Sequence, residues 1–185
     1  PTEVLGMHFS PYIIDTAKRE KVRVVIEVAD EKDLRSTCEY PEWQTDWTSV
    51  FLADSSISKY AIKTLKGELV ALAAYQIKDN KAYVYILYTE AAPHSNPTMK
   101  AKNQRKYSEI GRLAIAFGIK FSIDNSCRGD IVFEAKTEEL AKHYEADFHA
   151  VRIPNPNSNG IPRYMLVDEA AWDLFSYYLA SEEEE

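Results

Sequence analysis

"RKYSEIGRLAIAFGIKF", residues 105–121, passes from a basic, polar run into an apolar helix, with Gly111 at the joint. Ile110, Leu113, Ala114, Phe117 and Phe121 recur at helical spacing, so one stripe of this helix is predicted to pack on a sheet. A helix N-terminus presents unpaired amides and the positive end of the helix dipole, which suits a phosphate. Glycine there lets a ligand approach the backbone and permits a positive φ. Ser108 reads as the N-cap, and Lys100, Lys102, Arg105, Lys106 and Arg112 surround the turn. These cations reverse the local charge in an acidic chain. The same residues also describe an ordinary helix start beside a solvated basic loop, so the neighbouring elements must decide.

Upstream, "KYAIKTL", "ELVALAAYQI" and "KAYVYILYTEA" are three strand-like runs separated by the turn signals "KG" and "KDN". They predict an antiparallel meander from Lys59 to about Glu90. "VRVVIEV" (Val22–Val28) is a β-branched strand, and "DEKDLRSTCEY" a short helix. Residues 1–20 are expected to form an arm or helix. Trp43, Trp47 and Phe51 stand four residues apart and so share one helical face, either as core or as substrate lining. Downstream, "IVFEA" is a buried strand and "TEELAKHYEADF" a helix capped by Thr137. "AVRI" and "RYMLV" are the final strands, and "DEAAWDLFSYYLA" is a closing amphipathic helix. This order predicts an α+β fold, a mixed and mostly antiparallel sheet flanked by helices. A single domain is expected over 1–181, with Glu182–Glu185 as a solvated acidic tail.

Hydrophobic content of 45% with 12% aromatics excludes a disordered chain of low hydrophobicity. A formal charge of −7 argues against nucleic acid or an acidic membrane as partner, because both demand a basic face. Cys38 and Cys127 supply neither a disulfide framework nor zinc spacing, and they read as reduced thiols of a cytoplasmic protein. No metal-ligand spacing and no G-x-S-x-G elbow is present, so metal and hydrolase chemistry find no support.

The strand ending in "YTEAAP", the basic loop, the helix, the next strand and the helix with "HYEADF" together resemble the GNAT N-acetyltransferase family. The resemblance covers roughly Lys59 to Val167. In that family a loop of pattern Q/R-x-x-G-x-G/A binds the pyrophosphate of coenzyme A. Here Lys106, Glu109 and Gly111 occupy its three defining positions. Gly111 matches, Lys106 keeps the charge, and Glu109 replaces a glycine. A carboxylate beside a pyrophosphate must turn outward or pair with Arg112 or Arg105. Tyr144 matches the family tyrosine that protonates the departing thiolate, and His149 stands where a turn glycine is usual. A phenol suits that work because its reference pKa, about 10, lies above that of a thiol. Tyr144 also fits a half-buried ring packed on the sheet.

The resemblance implies acetyl-CoA as co-substrate and direct transfer to a primary amine. Its pyrophosphate would lie on the amides of Ile110, Gly111 and Arg112, near Arg105, Lys106 and Ser108. The oxyanion would rest on a backbone N–H of Tyr88, Thr89 or Glu90. An ammonium acceptor must first lose a proton, and Glu90, at the strand end, is the first candidate base, with His94 the second. Glu90 also reads as a surface carboxylate or as a salt-bridge partner of the basic loop. His143 points away from Tyr144, and Glu134 faces either cleft or solvent. The negative net charge favours a cationic acceptor, such as a polyamine, an aminoglycoside or a lysine side chain. Two other readings compete: a GNAT-fold binding or regulatory module without turnover, and a protein-interaction domain. The latter would dimerise through the aromatic stripe or through Trp172, Phe175 and Leu179 on the last helix.

Overall fold

The computed structural model describes residues 6–156, 159–181 and 183, so most of the expected acidic tail lies outside it. In chain order the first elements are β1 (Met7–Phe9), β2 (Tyr12–Asp15), β3 (Glu20–Val28), α1 (Glu31–Arg35) and β4 (Ile57–Thr64). Then come β5 (Leu69–Lys78), β6 (Tyr83–Ala91), β7 (Tyr107–Ser108), α2 (Ile110–Asp124) and β8 (Ile131–Glu134). The last are α3 (Glu138–Asp147), β9 (Val151–Ile153), β10 (Arg163–Leu166), α4 (Asp168–Ser176) and β11 (Leu179–Ser181). The chain divides into two compact units: Ser10–Tyr75 with Tyr88–Ala114, and the remaining segments. β5, β6 and α2 contribute residues to both.

In the unit built on Ser10–Tyr75, hydrogen-bonded neighbours run β7-β2-β3-β4-β5-β6. β2 pairs antiparallel with β3 (Tyr12↔Arg23) and with β7 (Ile14↔Ser108), and β3 with β4 (Val24↔Thr64). Val70 to Tyr75 of β5 are all buried without alternation, the pattern of a strand covered on both faces. Asp30 and Asp33 form a reciprocal capping box that fixes the start of α1. Gly67, at φ +88°, makes the turn between β4 and β5.

In the other unit β8 pairs parallel with β6 (Val84↔Ile131) and antiparallel with β10 (Tyr164↔Phe133). β10 carries β9, and β1 pairs separately with β11 (Phe9↔Leu179). The Phe9 ring stacks on Phe175 with centroids 5.6 Å apart, which anchors this small sheet on the apolar face of α4.

The structure corrects three expectations. Of the stretch 1–20, expected as an arm or helix, the described part, residues 6–20, holds strands β1 and β2 and no helix. Trp43, Trp47 and Phe51 share no helical face: the segment is irregular but for a 3-10 turn at Val50–Leu52, Trp47 is fully buried, and Phe51 is 63% exposed. The last helix stops at Ser176, and Leu179 belongs to β11, while Trp172 is 45% exposed beside buried Phe175.

Within the first unit the Tyr75 hydroxyl donates to the Ala114 carbonyl of α2 at 2.6 Å, both residues being buried. Tyr75→Phe keeps the ring and removes this bond. A loss of about 1 kcal/mol in unfolding free energy is expected by urea denaturation.

Candidate functional site

The helix start takes a form the sequence did not announce. Ser108 is a β7 residue paired opposite Ile14 and is not the N-cap. Glu109 alone makes the transition, at φ +65°, and its carbonyl accepts the first helical bond from the Leu113 amide at 3.1 Å. A side-chained residue in this left-handed region costs roughly 1–2 kcal/mol, the cost that a glycine avoids. The Glu109 carboxylate pairs with the Arg112 guanidinium at 3.0 Å, one of the two dispositions expected for an acid at this position.

Gly111 follows in the first turn and is exposed. Its φ is not positive, and a Cβ built there meets no atom within 4 Å. Neither backbone strain nor packing within the protein therefore requires glycine, and the space beside its amide is open. Of the surrounding cations, Lys106 is held by Glu68 and Arg105 Nε donates to the Lys100 carbonyl at 3.2 Å. The local reversal of charge is thus partly neutralised by the fold itself.

The end of β6 is tied to the irregular segment before β4. Glu90 is buried, and its carboxylate accepts from the Gln44 amide at 2.7 Å and the Thr45 amide at 3.1 Å. The Trp47 indole N–H donates to it as well, at 3.2 Å. Thr45 Oγ1 donates to the Tyr88 hydroxyl at 2.7 Å, and the Trp47 ring meets Tyr88 edge-on at 5.6 Å. Thr89, between them, is half-buried. Sequence reasoning placed Glu90 at the strand end but missed these partners, which lie more than forty residues away.

His94 serves a structural chain. Its Nε2 lies 3.3 Å from the Leu69 carbonyl oxygen and must carry the proton. Nδ1 then accepts from Ser95 Oγ at 2.6 Å, and Ser95 Oγ accepts from the Tyr107 amide at 3.0 Å. Burial pushes the imidazole pKa below its ordinary 6.5, with the Glu68 carboxylate opposing that shift. The neutral ring thus links the starts of β5 and β7.

In the other unit, Tyr144 on α3 is half-buried among Phe133, Phe148 and Tyr164, its ring edge-on to Phe133 at 4.8 Å. Burial raises its phenol pKa above the ordinary 10. His149 closes the helix at φ +55°, and the Ala150 amide returns to the Tyr144 carbonyl at 3.0 Å. Like Glu109, it adopts the left-handed geometry that glycine takes without strain. Glu134 accepts from Arg163 and Asn155, while His143 pairs with Asp147. Among the described residues no three His, Cys, Asp or Glu side chains gather as a metal site, and no helix is long and apolar enough to cross a membrane.

No protein-family model and no curated protein sequence matches the chain. Solved structures do. A Klebsiella pneumoniae protein assigned to the acyl-CoA N-acyltransferases superposes with a TM-score of 0.51 at 12% identity, covering 78% of this chain and 98% of that one. The Vibrio cholerae spermidine N-acetyltransferase in complex with CoA and spermine gives 0.52 at 12% identity, over 80% and 98%. A single-residue variant of the Vibrio enzyme gives 0.54 at 12%, over 80% and 96%. The shared feature is the fold: this chain has the GNAT acyl-CoA N-acyltransferase fold that its order of elements implies.

The lowered His94 pKa has a consequence for stability. Folding excludes a proton that the unfolded imidazole binds, so this contribution is present above pH 6.5 and is lost as pH falls through the lowered folded value. Urea midpoints are expected to fall between about pH 7 and pH 5. His94→Phe, less stable at neutral pH, should show a flatter profile over that interval.

Proposed function

We propose that this chain is an acyl-CoA-dependent N-acyltransferase that passes an acetyl group from acetyl-CoA to a primary amine. The observation that carries the reading is the start of α2. Gly111 is exposed, a Cβ there would meet nothing, and helix geometry leaves the amides of Ile110 and Gly111 without intrahelical acceptors. Glycine in a helix costs up to about 1 kcal/mol against alanine, a cost without return in the protein alone. A ligand lying against the backbone supplies the return. Pairing of Glu109 with Arg112 favours this reading, since it draws the carboxylate into an ion pair.

In the proposed reaction the ammonium acceptor gives a proton to solvent water, and the neutral amine nitrogen attacks the thioester carbonyl. The tetrahedral oxyanion is stabilised by a backbone N–H of Tyr88, Thr89 or Glu90. Collapse forms the amide, whose nitrogen releases its extra proton to water, and expels the coenzyme A thiolate, which takes a proton. That proton is assigned to Tyr144 on the resemblance of its helix, and burial of the phenol favours the protonated form over the neutral pH range. The acceptor is proposed to be cationic. Residues 36–58 carry Glu39, Glu42, Asp46 and Asp54 but no Lys, Arg or His, in a chain of net charge −7. A module without turnover is the second reading, motivated by Glu109 and His149. Both keep the glycine-like backbone, which weighs against it.

Isothermal titration with acetyl-CoA tests the reading: saturable heat is expected, and none at millimolar ligand would remove the enzyme. Gly111→Leu should bind at least about tenfold more weakly while stability is unchanged or higher, because the new side chain meets the ligand and not the protein. Tyr144→Phe should bind acetyl-CoA normally but lose roughly 10²-fold or more in kcat, measured by thiol release with a polyamine acceptor.

A further inference from the structure

We propose that Glu90 is a positioning residue and not the proton acceptor: its carboxylate holds the Gln44–Trp47 segment against the end of β6, so that this segment forms the acceptor side of the site. The inference rests on the proposed acetyl transfer, in which the same strand end faces the thioester. Three donors converge on the carboxylate, the Gln44 amide on one oxygen and the Thr45 amide and Trp47 indole on the other. At 5% exposure it has little contact with solvent.

A general base must offer a lone pair to the proton it removes, within hydrogen-bond reach. Here three of the roughly four lone-pair sites are taken by protein N–H donors, two on Oε1 and one on Oε2, and the carboxylate is buried. Only an acceptor without hydrogens satisfies three donors at once, which is why a carboxylate suits the position and an amide does not. The hold is reinforced around it. Gln44 Oε1 accepts from Asn96 Nδ2 at 3.3 Å and lies 2.8 Å from the Thr98 hydroxyl, while Thr45 donates to Tyr88. The segment is therefore fastened both to the strand end and to the loop that follows it. Release of the carboxylate would free its backbone at the acceptor side while leaving the start of α2, where coenzyme A is proposed to bind, intact.

The test is Glu90→Gln in the full chain, read in three ways. Hydrogen–deuterium exchange of the peptide containing Gln44–Trp47 is expected to accelerate at least about tenfold. Acetyl-CoA affinity should stay within about twofold, and the acceptor KM should rise about tenfold or more. The pH profile of kcat/KM should keep its shape. Trp47→Phe, which removes one donor and conserves an aromatic ring, should move exchange and KM in the same direction by less, and it serves if Glu90→Gln does not fold. Unchanged exchange would overturn the proposal. So would a profile that loses its acidic limb at constant acceptor KM, which would return Glu90 to the role of base. A wild-type chain that neither binds nor turns over acetyl-CoA sinks the functional reading and the acceptor role with it, whereas exchange alone answers whether Glu90 holds the segment.

Discussion

One backbone dihedral governs the candidate site. At φ +65°, Glu109 turns the chain from a two-residue edge strand into a fifteen-residue helix without an intervening loop. β7 is committed to β2 on one side, and the first helical bond reaches back to the Glu109 carbonyl on the other. A left-handed residue makes this junction in one step, and the amides of Ile110 and Gly111 are aimed by it. Glycine would adopt the geometry freely. Glutamate pays strain of about 1–2 kcal/mol, and its pairing with Arg112 returns part of that as an ion pair and shields the helix start from a bare carboxylate.

Much of the architecture was legible because its signals are local. The β-branched run Val22–Val28, the turns at Gly67 and Asp79–Lys81, and the apolar stripe of α2 each carry their own periodicity or turn chemistry. The first twenty residues were not legible, since β1 and β2 are three and four residues long and pair with β11 and β7, which are remote in sequence. Trp43, Trp47 and Phe51 imitated a helix by spacing alone. What decided the segment was turn chemistry, with Asp46 accepting from Thr48, and the long-range hold of Glu90. The backbone of Glu109 and His149 was not legible either, since both are side-chained residues in the left-handed region that favours glycine.

Charge at the site is less one-sided than composition suggests. Lys106 is spoken for by Glu68, and Arg112 by Glu109. Exposed pairs of this kind are worth only about 0–1 kcal/mol each, so a ligand carrying several negative charges can compete for the cations. The amides of Ile110 and Gly111 precede the first helical bond, at Leu113, and helix geometry leaves them without intrahelical acceptors. In the proposed complex the backbone would supply the directional contacts at this junction, with the cations contributing attraction at longer range.

The strand end illustrates how residue type alone underdetermines role. A glutamate next to an expected thioester is chemically equipped to take a proton, and equally equipped to accept several N–H bonds. Burial separates the two uses. A carboxylate removed from water keeps its charge only where donors replace the lost hydration, and here two main-chain amides and an indole do so. The same three contacts that make Glu90 an effective anchor for Gln44–Trp47 occupy most of the lone pairs a base would draw on, which is why the positioning role is the one proposed.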